Sequence, residues 1–158
     1  MSRDRRKDTI EAVGVVAIVA GLVFVALEIR QNTNAVRSSV IQSISDQSIN
    51  ALQVAVEDES LRQSQSAIVN GTANEDQMRQ ARRYYAMLVR IQQNRFMQSQ
   101  IGTIDKDTAL ALGGRAAIYR RPEFHQYWNG VRESHPVEFR DFSDKELLAL
   151  PLEEKAED

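Results

Sequence analysis

Few side chains in this 158-residue chain could carry covalent chemistry. It has no cysteine and two histidines, which excludes disulfides, thiol nucleophiles, Cys-based zinc sites and iron–sulfur clusters. His125 and His135 stand ten apart, with no His-x-x-x-His or Glu-x-x-His arrangement to bind a metal. Glu123 is two residues from His125 and would point to another side of a helix, so the two form no acid–base couple. His125 reads more simply as a polar, partly packed residue among Phe124, Tyr127 and Trp128. Gly113-Gly114-Arg115 lacks the preceding strand and the Lys-Ser/Thr of a phosphate loop. Asn70-Gly71-Thr72 fits a glycosylation acceptor by pattern alone. The expectation is a protein that is not an enzyme and that holds no cofactor and no metal.

Two other groupings suit contact better than catalysis. Residues 77–104 contain five arginines (79, 82, 83, 90 and 95) and no acid. On a helix Arg79, Arg83 and Arg90 fall within about 40° of one another, opposite Met78, Tyr85 and Phe96. Such a face could grip an anionic partner, whether lipid headgroup, nucleic acid or acidic protein. The plainer reading is a solvated face neutralised within the fold by residues 138–158, which hold eight acids and three bases. Aromatic stacking positions are not interleaved with the arginines, and 20 Lys+Arg against 22 Asp+Glu leaves a net charge of −2. No nucleic-acid partner is expected. Gly14, Ala17 and Gly21 form the other grouping, a helix stripe almost without side chains, of the kind that lets membrane helices approach closely. The plainer reading there is that Gly and Ala are common in such helices.

That stripe lies in the dominant feature of the chain. Residues 12–27 contain no polar side chain and are closed by Glu11 and Glu28, although mean hydropathy over the whole chain is −0.41. As a helix the run spans about 24 Å, and Ile10 and Ile29 bring it close to the roughly 30 Å hydrocarbon core. A buried core helix would need apolar segments on every side, and the other predicted helices offer one stripe each. Upstream lie Arg3, Arg5, Arg6 and Lys7; downstream lie Arg30 and Arg37. Four against two places the following domain outside the cytoplasm. A cleaved leader fits less well, because no small-x-small site follows promptly.

Glycine and proline mark the elements that position these groups. None lies between Gly21 and Gly71, so the first helix is predicted to run unbroken from about residue 8 to 56. A corner at 57–60 and a short helix ending at Gly71 follow. Thr72-Ala-Asn-Glu75 fits a capping box opening a long helix to Gly102, with Met78, Ala81, Tyr85, Leu88, Val89 and Phe96 on its apolar side. Asp105 could cap a segment interrupted by Gly113-Gly114, and Pro122 suits a first helical position. Ser143-Asp-Lys-Glu146 reads as a second capping box, and Pro151 ends the last helix.

Val25-Ala-Leu-Glu-Ile-Arg-Gln-Asn-Thr-Asn-Ala-Val-Arg37 resembles a junction in a family of uncharacterised bacterial membrane-anchored helical proteins. In that family an apolar helix passes into Arg-Gln-Asn-Thr-x-Ala-Val-Arg. Asn94-Arg-Phe-Met-Gln-Ser-Gln-Ile-Gly-Thr-Ile-Asp105 and Arg121-Pro-Glu-Phe-His-Gln-Tyr-Trp128 are similar more loosely. The resemblance implies a bacterial source and a single anchor, and it brings no activity.

The reading is an all-α chain: basic tail 1–9, transmembrane helix 10–29, antiparallel helical extramembrane domain 30–150 and charged tail 151–158. It predicts a single-pass inner-membrane protein with a periplasmic domain, working as a non-enzymatic accessory or scaffold subunit. Its partners would be the lipid bilayer and other membrane subunits or itself. The alternative is an anchored ligand-sensing domain with a pocket lined by Tyr84, Tyr85, Tyr119, Tyr127 and Trp128.

Overall fold

The computed structural model describes the backbone of residues 3–112 and 117–149, and the side chains of 11–112 and 117–149. All secondary structure among them is helical. Helix α1, Arg3–Glu57, runs without a break through the length that the absence of glycine and proline after Gly21 predicts. The chain divides between Ser39 and Val40 into two units. In the first, every described side chain from 11 to 39 is exposed.

The second unit is built on the end of α1, on α2 (Glu59–Val69) and on α3 (Glu75–Gln100). The Tyr84 hydroxyl donates to the Ala51 carbonyl, and Asn94 donates to the Gln47 side chain. As α1 is read backwards α3 is read forwards, so the two are antiparallel. Helices α4 (Lys106–Ala111), α5 (Pro122–Val131) and α6 (Val137–Phe142) follow, with single 3₁₀ turns at Ala117–Arg120 and Arg132–Ser134. A π turn, Ser143–Leu147, extends α6.

The main core joins Leu61 and Ile68 of α2 and Tyr85, Val89 and Phe96 of α3 to an aromatic group from the later helices. Phe124 sits edge-on to both Tyr85 and Tyr119, and Phe139 packs edge-on against Trp128 and tilted against Phe96. Aromatic pairs of this geometry add about 0.5–1.5 kcal/mol each beyond their buried area. A smaller cluster gathers Ile44, Ile104 and Ala109.

The helix ends follow local chemistry, with two corrections to the reading above. Asp58 caps α2 by accepting from the Leu61 amide, Asp105 caps α4 through Thr108, and Pro122 opens α5. The capping box of α3 belongs to Asn74 and Gln77, not to Thr72 and Glu75. Thr72 is already engaged: its amide donates to the Ala67 carbonyl and that of Gly71 to Ile68, closing α2 in a Schellman motif with Gly71 at φ +69°. The second box, at Ser143, does not form. Ser143 has helical dihedrals (φ −63°, ψ −45°), whereas a cap needs an extended residue, and Pro136 opens α6 instead. The expected break at Gly113-Gly114, the stop at Pro151 and the tail 151–158 lie outside the described residues, as do the side chains of the basic N-terminus.

Candidate functional site

On the first unit the small stripe is open. Gly14, Ala17 and Gly21 are all exposed, and a Cβ built on either glycine meets nothing within 4 Å. Their neighbours are as open: Val16, Leu22 and Phe24 are each about two-thirds exposed. The helix offers an apolar surface on all sides, with mean hydropathy 2.6 over an 18-residue window. One shallow lane in it, Gly14, Ala17 and Gly21, carries a single methyl group.

The arginines of α3 do not act as one group. Arg79 pairs with Asp76 at 3.1 Å, one helical turn away. Arg83 and Arg90 rim a groove of about 530 Å³ whose floor is Ala51 and Val54 of α1 and Met87 and Ile91 of α3. Neither forms an ion pair among the described residues. Of the acids expected to neutralise this face, Asp144 accepts from Arg132 at 2.6 Å and Glu146 pairs with Lys106, while Glu153, Glu154, Glu157 and Asp158 lie outside the described residues.

Arg95 lies on the opposite side of α3 and enters the core at 3% exposure, donating from Nη2 to the Ser48 hydroxyl. Burial lowers its pKa, while the neighbouring Tyr119 acts in the opposite direction. Next to it in the helix, Gln92 is also buried and donates to the Tyr119 hydroxyl at 2.8 Å. Their signal was present in the chain. Gln92 is seven residues from Tyr85 and Arg95 seven from Leu88, so both share the phase of the apolar side.

The five aromatic residues proposed as one pocket are divided. Tyr84, Tyr119 and Trp128 are core residues, each tied by a hydrogen bond to Ala51, Gln92 and Asp144 respectively. Tyr85 and Tyr127 reach an open cavity of about 280 Å³ between α2, α3 and α5. Burial raises the pKa of all four tyrosines, so they are neutral phenols at physiological pH. The histidines have structural surroundings. His125 Nε2 lies 2.8 Å from the Tyr119 carbonyl, and His135 stacks on Trp128 with its pKa lowered by burial and by Arg90. Among the described residues no three His, Asp or Glu side chains gather as a metal site.

Comparison with known proteins matches residues 6–155 to DUF6082, a family of unknown function. No curated protein and no solved structure matches the chain.

Proposed function

We propose that this chain, which belongs to that family of unknown function, is a single-pass membrane protein of bacterial origin. In this reading its helical domain serves, without catalysis, as an accessory or scaffold subunit of a larger membrane assembly. The observation that carries the reading is the exposure of the apolar run. Eleven large hydrophobic residues between Val13 and Ile29 are at least half exposed, and the described residues around them bury none. Monomeric soluble proteins rarely leave apolar patches beyond a few hundred Å² uncovered. A lipid bilayer covers such a helix on all sides at once, and the run with Ile10 and Ile29 comes close to the length of a bilayer core.

The charge difference across the run, four basic residues before it and two after, supports a helical domain outside the cytoplasm, in the periplasm of a cell with an inner membrane. The junction at residues 25–37 supports a bacterial source. Within the bilayer, the lane at Gly14, Ala17 and Gly21 is the side that another helix gains most from, because lipid chains find few contacts there. The partner is either another subunit or a second copy. Arg83 and Arg90 supply a further contact for an acidic partner in the extramembrane domain.

Co-purification tests the reading. The tagged full chain, solubilised from membranes in mild detergent, should elute in a particle larger than its own micelle. Gly14→Ile with Gly21→Ile should insert normally and weaken the association about five- to thirty-fold, as loss of about 1–2 kcal/mol requires. Extraction of the wild type by alkaline carbonate would overturn the membrane assignment. A lone monomer in the micelle would overturn the subunit role.

A further inference from the structure

We propose that the second unit binds a small apolar zwitterion, an α-amino acid with an apolar side chain, in the cavity between α2, α3 and α5. This site is independent of the scaffold role and would stand if that role failed.

Size is the first argument. At about 280 Å³ the cavity lies near the lower end of small-molecule sites, which range over about 300–1,000 Å³. An amino acid suits this volume better than a nucleotide or an acyl lipid does.

The lining supplies the second. Ile68, Met78, Tyr85 and Tyr127 make an apolar floor. Arg82 on α3 and Glu123 on α5 are its charged residues, one of each sign. Neither makes an ion pair, with the other or with any third group, among the described residues. A ligand with only a carboxylate would be held by Arg82 and repelled by Glu123. A ligand with only an ammonium group would meet the reverse. A molecule carrying both charges beside an apolar side chain satisfies both walls and the floor.

Gly130 is the third argument. It lines the cavity from the last turn of α5, where a glycine costs helix stability relative to alanine. Its backbone does not require glycine, since the positive-φ glycines among the described residues are Gly71 and Gly102. Packing does not require it either, because a Cβ there meets nothing within 4 Å. We take its missing side chain to keep this end of the cavity open.

The experiment is isothermal titration of the full chain in lipid nanodiscs, with empty nanodiscs as the blank. The probes are L-leucine, L-phenylalanine, phenylalanine amide (no carboxylate) and 3-phenylpropionate (no ammonium). Both amino acids should bind saturably, and each singly charged analogue about tenfold or more weaker. Arg82→Gln should remove the preference for phenylalanine over its amide, and Glu123→Gln the preference over 3-phenylpropionate. Gly130→Leu should abolish binding while leaving the urea midpoint of unfolding unchanged or higher. Gly130→Ala, which fills less of the cavity, should weaken binding with the fold intact. Absence of saturable heat with both amino acids overturns the proposal. So does equal binding of the zwitterion and its singly charged analogues, or wild-type affinity in Gly130→Leu.

Discussion

Replacing Arg95 with methionine is expected to stabilise the helical unit by about 1–2 kcal/mol, although it deletes a hydrogen bond. Arg95 is buried, its Nε has no partner, and no carboxylate lies within ion-pair distance of it among the described residues. A guanidinium stays protonated in proteins, so the charge is carried into the core at its full desolvation cost. The unpartnered Nε alone costs about 1–3 kcal/mol. Against this stands the bond to Ser48, of the charge-assisted kind worth about 1.5–3 kcal/mol. The two nearly cancel, and desolvation of the rest of the guanidinium decides the sign. Methionine has similar reach and helix propensity and brings no polar group. Ser48 is not stranded by the change, because its hydroxyl already donates to the Ile44 carbonyl at 2.7 Å.

A urea titration of the full chain in detergent micelles measures the effect. Trp128 is the single tryptophan and is 2% exposed, so its emission reports unfolding of the second unit. With a slope of about 2 kcal/mol per molar, the midpoint should rise by about 0.5–1 M. Ser48→Ala should move it the other way, since it leaves Nη2 buried without its acceptor, at a cost of about 1–3 kcal/mol. If Arg95→Met lowers the midpoint as Ser48→Ala does, the guanidinium is net stabilising and the desolvation argument is wrong.

The same assay checks three further expectations. Asn74→Ala should cost about 1 kcal/mol and Thr72→Ala clearly less, because Asn74 is the residue that caps α3; equal losses would count against that cap. Gly130→Ala should raise stability by about 0.5–1 kcal/mol, and a loss would mean that the space beside it is not open. His135 has a folded pKa below its ordinary value near 6.5, so the unfolded chain binds the extra proton more readily. Its contribution is therefore present above about pH 6.5 and is lost as pH falls through the folded pKa. His135→Gln should flatten that acid limb, and Arg90→Gln, which brings the folded pKa closer to the unfolded one, should shorten it and reduce the loss; a limb unchanged in His135→Gln would remove the histidine from the explanation.

What could be read along the chain was whatever depends on a few consecutive residues. The unbroken α1, the corner at Asp58, the Asp105 cap and the start at Pro122 all follow from local steric and hydrogen-bonding rules. The caps that were misplaced show where those rules compete. Thr72 is a good N-cap residue, but the Schellman closure of the preceding helix claims its amide first. Ser143 heads a plausible box, but Asp144 beside it is engaged by Trp128 Nε1 at 2.7 Å and by Arg132. That tertiary demand falls on a residue 16 positions from Trp128. The cavity is further from reach still, because its walls come from three helices and no pattern in one of them marks it. Among the tyrosines, side-chain type did not separate Tyr119, sealed in the core, from Tyr127, which reaches the cavity; only packing does.

The glycines connect the two proposals. Among the described residues, Gly71 and Gly102 adopt positive φ where helices α2 and α3 end, and backbone sterics account for them. Gly14, Gly21 and Gly130 lie within helices, without positive φ, and nothing approaches the position a Cβ would take. In such places alanine would be the more stabilising residue by about 0.5–1 kcal/mol. Neither local geometry nor internal packing explains their lack of a side chain, and both proposals place its use in the space beside them. For Gly14 and Gly21 that space is a lane on an apolar helix, suited to the close approach of another backbone. For Gly130 it is the mouth of a cavity with one charge of each sign. On the two proposals the three positions act alike at two scales: each would leave room for something that is not part of this chain.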